Sequence, residues 1–171
     1  MANAYPILGI NELVLKKKIL SLHEHYNFED RNGNKLGDAE GNLIQIPAKF
    51  SLKDVNGMEV MRLGGKVLSI RDQFTIYDSS GTELGVLKKK IVKLIGKEYW
   101  IEKNGLEVMR IVGKFAEHDY DMRINGAQVA QVHRKWFSIR DWIGISITGV
   151  VDHRLVIAAV IIIEHHEVNE Q

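Results

Sequence analysis

The 171-residue chain contains no cysteine, only two prolines and almost no excess of either charge. Without cysteine it can form no disulfide, no thiolate nucleophile and no cysteine-based zinc site, a composition that suits the cytoplasm. Lys and Arg total 23 while Asp and Glu total 22, so the formal net charge is +1. A near-neutral chain lacks the overall field that attracts nucleic acid or an anionic membrane. We therefore expect no nucleic-acid partner, and any electrostatic partner must bind a local patch.

A secretory signal and a membrane-spanning segment are not evident either. The basic cluster at 16–18 follows the first apolar stretch, whereas a signal peptide has its basic residues first. The most apolar region, residues 142–163, is interrupted at its centre by the polar triplet 152–154. Those charges would lie at mid-bilayer, and the uncharged stretch 155–163 is shorter than the roughly 20 residues of a spanning helix. The sequence predicts no transmembrane span.

Short turn motifs that contain glycine recur along the chain at a nearly constant spacing. Their glycines lie at 33, 57, 81, 105 and 126, so the successive intervals are 24, 24, 24 and 21 residues. Asn precedes four of these glycines and Ser precedes Gly81. Asn-Gly is the strongest short-range signal for a type I′ hairpin, because both central residues of that turn need positive φ. The spacing predicts a β-hairpin repeated along the chain.

The repeat is also visible in the residues that follow the turns. NGMEVMRLGGK (56–66) and NGLEVMRIVGK (104–114) agree at eight of eleven positions, 48 residues apart, and SIRD occurs at both 69–72 and 138–141. The segments between turns are short and rich in Ile, Val, Phe and Tyr, as strands are. About ten to twelve strands in a chain of this length predict a closed barrel or a sandwich, since closure removes exposed edges.

The C-terminal run RLVIAAVIIIEHH (154–166) allows two interpretations. Its β-branched residues favour a buried strand, whereas Asp152 as an N-cap and His165 and His166 near a C-terminus fit a helix. A helix that is apolar on all sides must be enclosed. Residues 152–167 would form a helix about 24 Å long, which matches the bore of a twelve-strand barrel. The residues alone leave the strand and the helix open.

Three ordered motifs resemble the LURP-one-related family: IYDSSGTELGVLKKK (76–90), INGAQVAQVHRKWFSIRDWIGISI (124–147) and DHRLVIAAVIII (152–163). That family shares the tubby C-terminal fold with the phospholipid scramblases. The resemblance implies a mainly β protein, a closed antiparallel barrel of about twelve strands around a buried apolar C-terminal helix at about 152–167. It also implies one domain over residues 1–171. Tubby-like domains bind phosphoinositide head groups through surface Lys and Arg, which makes lipid binding an expectation. Scramblases carry an acidic calcium-binding segment and lipidated cysteines that are not recognisable here.

The densest basic run comprises Lys88, Lys89 and Lys90, followed by Lys93 and Lys97. Lys88, Lys89 and Lys90 are the candidate binding site for anionic lipid head groups or phosphate-bearing ligands. In a strand Lys88 and Lys90 share one face while Lys89 points to the other, and each Lys near an anionic surface contributes about 1 kcal/mol. The competing interpretation is a solvated strand whose lysines discourage edge pairing. The KKK at 16–18 permits the same two interpretations.

No catalytic or metal site is expected. HEH (23–25) and EHHE (164–167) match no known metal spacing, and we interpret them as polar surface and a helix terminus. His118-Asp119 and Asp152-His153 have acid–base residue types, but no nucleophile lies in a recognisable elbow. Gly64-Gly65 lacks the spacing of a phosphate loop and indicates a bulge. Three tryptophans are interpreted as barrel packing rather than base-stacking platforms: Trp100, Trp136 and Trp142.

These observations lead to two functional hypotheses. The first is a non-enzymatic barrel, without cofactor or metal, that binds anionic membrane lipid peripherally from the cytoplasm through local lysine clusters. The second is a protein-interaction or scaffold module without lipid affinity, which the near-zero net charge allows.

Overall fold

Twelve strands and one long helix make up the computed structural model, which describes residues 5–20, 23–42, 48–68, 71–94, 96–134 and 142–169. The strands are β1 Glu12–Leu20, β2 His23–Glu29, β3 Lys35–Asn42, β4 Lys49–Asp54, β5 Glu59–Leu68, β6 Arg71–Asp78, β7 Glu83–Val92, β8 Gly96–Lys103, β9 Leu106–Lys114, β10 Asp119–Ile124, β11 Ala127–His133 and β12 Trp142–Ile147. The helix α1 is His153–Asn169, and two short 3₁₀ helices span Pro6–Gly9 and Phe115–Glu117.

The twelve strands in the described part of the chain form one closed antiparallel barrel. Strands that are adjacent in sequence are hydrogen-bonded neighbours, and β1 pairs with β12. Leu13 lies opposite Ile145 and Leu15 opposite Ile143 across this closing pair, and all four side chains are buried. Because each described strand is hydrogen-bonded to a neighbour along both edges, closure removes the free edges that an open sheet would expose. The predicted fold class is confirmed.

The C-terminal run forms the helix α1 inside the barrel, as the family resemblance implies. The eight apolar residues 156–163 are all fully buried, which is the environment that a helix apolar on every side requires. Asp152 caps its start, because Oδ1 accepts a hydrogen bond from the backbone N–H of Arg154 at 3.0 Å. The predicted N-cap is thus confirmed, and the helix extends two residues beyond the expected end. Among the described residues, no helix combines the length and hydropathy of a membrane span.

The repeated glycine-containing turns lie together at one end of the barrel, which we call the turn end. In the first three, at Asp30, Asp54 and Asp78, the aspartate Oδ1 accepts hydrogen bonds of 2.8–2.9 Å from the backbone N–H groups two and four residues later. Only at Asn104 and Asn125 do both central turn residues have positive φ. The type I′ geometry is therefore confirmed for two hairpins and wrong for three, in which an aspartate closes a longer loop.

The predicted bulge at Gly64-Gly65 is wrong. Gly64 pairs with Thr75 and Gly65 with Phe74, with no shift of register between them. Gly65 faces the interior, where an added Cβ would lie 3.1 Å from the Phe74 ring, so a larger residue would crowd the core. The segments that hold Pro47, Trp136 and the SIRD at 138–141 lie outside the described residues.

Candidate functional site

Strand β7 places the three predicted lysines on two sides of the barrel wall. Lys88 and Lys90 face outward, and the Lys88 Nζ lies 2.6 Å from Glu102 Oε2 on β8. Lys89 faces inward and is only 3% exposed. Alternation in a strand predicts this separation. The run therefore presents two lysines to solvent, one of them already paired, and sends the third into the barrel.

The connection between β7 and β8 projects apolar side chains into solvent. Ile91 is 69% exposed, and Leu94 is fully exposed. Ile91 continues the inward series of β7 at the strand's end, where little covers it. Leu94 has φ +75°, a left-handed conformation that is uncommon for a residue other than glycine, asparagine or aspartate. An exposed leucine contributes little to the stability of the fold. Residues held in uncommon backbone conformations concentrate at functional positions.

Two lysines flank these apolar side chains. Lys90 and Lys93 are exposed and have no ion-pair partner in the part of the chain that the structure describes. The other lysines nearby differ, since Lys88 pairs with Glu102 and the Lys97 Nζ lies 2.8 Å from Glu167 Oε1. We call Lys90, Ile91, Lys93 and Leu94 the hairpin tip. It combines exposed apolar groups with available positive charge.

The second lysine triplet, on β1, repeats the arrangement of the first. Lys16 faces outward, where its Nζ lies 2.7 Å from Glu29 Oε2 and 3.9 Å from the Trp142 ring centroid. Lys17 faces inward, with its Nζ 3.5 Å from Glu164 Oε2. The middle lysine of each KKK thus enters the barrel near the C-terminal part of α1. On the outer face of β8, the half-buried Trp100 ring packs beside Arg110 in the same way that the Trp142 ring packs beside Lys16.

The inward lysines meet a group of buried polar side chains around the C-terminal turns of α1, which we call the helix-end network. At its centre is Glu164, which is fully buried. Tyr120 donates a hydrogen bond to its Oε1 at 3.1 Å, and His118 Nδ1 lies 2.6 Å from Oε2. Burial and the charge of Glu164 raise the pKa of Tyr120 well above its ordinary value. The tyrosine therefore stays a neutral donor to this carboxylate.

A second fully buried carboxylate, Glu24 on β2, belongs to the same network. Its Oε2 accepts a hydrogen bond from the Tyr26 hydroxyl at 2.7 Å and lies 2.8 Å from His165 Nδ1. Burial and the Glu24 charge raise the pKa of Tyr26 well above its ordinary value. Strand alternation could have found Glu24, because it precedes Tyr26 and Phe28 at intervals of two on the buried face.

His166 and Glu167 complete the network on the side of α1 that faces β8. The Tyr99 hydroxyl lies 3.2 Å from His166 Nδ1, and the two rings stack with centroids 5.8 Å apart. Burial, followed by the charge of Lys89, lowers the pKa of His166 to about 3. A neutral His166 is therefore the form that the folded protein holds at neutral pH.

The helix-end network holds as many carboxylates as ammonium groups among the described residues. The carboxylates are Glu24, Glu164 and Glu167, and the ammonium groups are Lys17, Lys89 and Lys97. The expectation of polar surface at HEH and EHHE is wrong for the glutamates, which are buried because they face the barrel interior. In the described part of the chain, no group of His, Asp and Glu has the arrangement of a metal site. The network pairs buried groups of opposite charge around the C-terminal turns of α1.

The two sequence-adjacent acid–base pairs do not act as pairs in the structure. His118 turns inward to Glu164, while Asp119 Oδ1 lies 2.8 Å from His133 Nδ1 on the neighbouring strand. Asp152 caps α1 and pairs with Arg154 at 2.8 Å. Each of these carboxylates therefore has a structural partner.

Comparison with known proteins gives one family and one fold. The family model for LURP-one-related proteins matches residues 11–164. An X-ray structure of a protein from Arabidopsis thaliana superposes with a TM-score of 0.64 at 18% sequence identity, over 90% of both chains. At that identity the likeness shows a shared fold. No curated protein matches the chain. Since the family match extends from the start of the barrel to its central helix, the chain belongs to the LURP-one-related family.

Proposed function

We propose that this LURP-one-related barrel is a non-enzymatic module that binds the surface of anionic membranes through the hairpin tip. The observation that carries the proposal is the exposure of Ile91 and Leu94 beside Lys90 and Lys93. Of the three lysines predicted from the sequence, Lys90 belongs to this surface. Lys88 forms an ion pair with Glu102, and Lys89 lies in the barrel interior.

The energetics of the hairpin tip suit reversible attachment. A lysine near an anionic leaflet contributes about 1 kcal/mol, and removing a leucine side chain from water contributes about 1.5–3 kcal/mol. Two lysines and two apolar side chains together favour binding by several kcal/mol before the cost of association, a range typical of peripheral contacts. The cytoplasmic leaflet carries the anionic lipids that such a surface binds, and the lack of cysteine suits that side of the membrane.

Co-sedimentation with vesicles tests the proposal. We expect binding to vesicles that contain phosphatidylserine and weak or no binding to pure phosphatidylcholine, with a loss as salt rises from about 20 mM to about 150 mM. The double variant Lys93→Ala/Leu94→Ser should bind at least about seventyfold more weakly, because it removes one charge and one apolar side chain. Leu94→Ser also leaves the barrel core untouched.

The matched control lies on the adjacent hairpin at the turn end. Leu106 is 72% exposed and Lys103 is exposed beside it, so Lys103→Ala/Leu106→Ser removes the same kinds of group at the opposite end of the barrel. We expect this control to bind like the wild type. Equal losses in both double variants would move the contact away from the hairpin tip. Absence of binding at low salt would favour the protein-interaction module instead.

A further inference from the structure

A groove on the outer face of strands β3–β6 is separate from both the hairpin tip and the helix-end network. Its volume is about 680 Å³, within the range of small-molecule sites. Two cross-strand rows form its base: Ser51 pairs with Arg62, which pairs with Tyr77, and Lys49 pairs with Gly64, which pairs with Thr75. Because the rows are adjacent on the same face, their side chains border one space.

Gly64 opens that space. A Cβ added at Gly64 would meet one neighbouring atom within 4 Å, Tyr77 Cε2 at 3.7 Å. Gly64 also lacks positive φ, so neither crowding nor backbone conformation requires glycine there. The missing side chain leaves room beside the Tyr77 ring, a width that a planar group can occupy by stacking.

The groove combines available cations with carboxylates on its other side. Lys49 and Lys53 have no ion-pair partner among the described residues, while Arg62 contacts Glu59 through Nε at 2.8 Å. On β3, Glu40 lines the groove and keeps a largely exposed carboxylate. Cations are suited to phosphate oxygens, and a carboxylate accepts hydrogen bonds from hydroxyl or amino groups. The matching ligand carries a planar ring, hydrogen-bond donors and phosphate.

We propose that this groove binds a nucleoside phosphate. The base stacks on Tyr77 over Gly64, the phosphates contact Lys49 and Arg62, and the sugar spans the space between them. This inference does not depend on membrane binding, since it uses different strands and a different face of the barrel. Failure of one proposal leaves the other standing.

Isothermal titration of the full chain with four probes tests the site. The probes are ADP, adenosine without phosphate, pyrophosphate without a ring, and inositol trisphosphate, which has phosphates but no planar ring. We expect ADP to bind at least tenfold more tightly than each of the other three. Absence of ADP binding at about 1 mM, or equal binding of pyrophosphate or inositol trisphosphate, would overturn the proposal.

Two variants locate the binding. Gly64→Leu fills the space beside Tyr77 and should weaken ADP binding at least tenfold, while Ala127→Leu, at an exposed strand position on β11, should leave it unchanged. Lys49→Glu reverses one phosphate contact and should produce a similar loss without changing the core. Thermal unfolding at the wild-type temperature verifies that each variant folds. If both groove variants bind ADP like the wild type, the site is not in this groove.

Discussion

The two ends of the barrel are built from different kinds of interaction. At the turn end, Asp30, Asp54 and Asp78 bond to backbone groups within four residues, and the arrangement repeats every 24 residues. At the helix end, Glu24 meets His165 across 141 residues and Lys17 meets Glu164 across 147. The turn end is therefore specified locally, whereas the helix end exists only when the barrel has closed around α1.

The two ends therefore differ in how much a substitution there lowers the free energy of unfolding. A local turn can be weakened without affecting the core, because its hydrogen bonds lie in solvent-accessible loops. The helix-end network places charges where water is excluded, so the loss of one partner leaves another charge uncompensated. We therefore expect substitutions at the helix end to cost more free energy of unfolding than equivalent substitutions at the turn end.

The largest expected effect comes from the helix that connects the two ends. Ile161 is fully buried in the middle of the enclosed run, and Ile161→Asp places a carboxylate there without a partner, at a cost of several kcal/mol or more. We expect loss of folding, measured by circular dichroism and thermal unfolding. Val150→Asp is the control, since Val150 is fully exposed just before α1. An Ile161→Asp protein that unfolds like the wild type would contradict the enclosed helix.

A matched pair of substitutions compares the ends directly. Glu164→Gln keeps the shape but removes the charge that compensates Lys17, and we expect a loss of about 3–5 kcal/mol in the free energy of unfolding. Asp30→Ala removes two hydrogen bonds from the backbone in an exposed turn, and we expect a much smaller loss. Urea unfolding measures both. Equal losses would remove the distinction between the two ends.

The last expected effect is a difference in pH dependence between the two ends. The folded pKa of His166 is lowered to about 3, whereas the ordinary value is about 6.5. Between these two pH values, the unfolded chain binds a proton at His166 and the folded protein does not. The resulting stability is complete above pH about 6.5 and falls by up to about 1.4 kcal/mol per pH unit as pH decreases toward 3. Hydrogen bonds lower the pKa of Asp30 and Asp78, and their contribution is lost only below about pH 4.

Urea unfolding at several pH values between 4.5 and 7 isolates the helix-end contribution when wild type and His166→Gln are compared. Glutamine can retain a hydrogen bond with Tyr99 but does not titrate. We expect a flatter profile for the variant, and parallel profiles would show that His166 takes no part in the pH dependence.

The two ends also differ in how far the sequence predicts them. The turn spacing indicates the hairpins, and the family resemblance indicates the helix inside the barrel. Alternation separates Lys89 from Lys88 and Lys90. The partners of Lys17 and Glu164 are not predictable from local patterns, because their proximity depends on strand register and on the depth of α1 in the barrel. The sequence indicates only the lysines of the hairpin tip, since the exposure of Leu94 depends on where β7 ends.

The position of α1 within the barrel has a consequence for biosynthesis. The segment that fills the core follows all twelve described strands in chain order, and at about 5–20 residues per second the ribosome reaches it about 7–27 seconds after it has made β1. During that interval the apolar inner faces of the strands have no helix to cover them, and β1 lacks its closing partner β12. The period before α1 is made is therefore the stage of synthesis at which this chain is most exposed to aggregation.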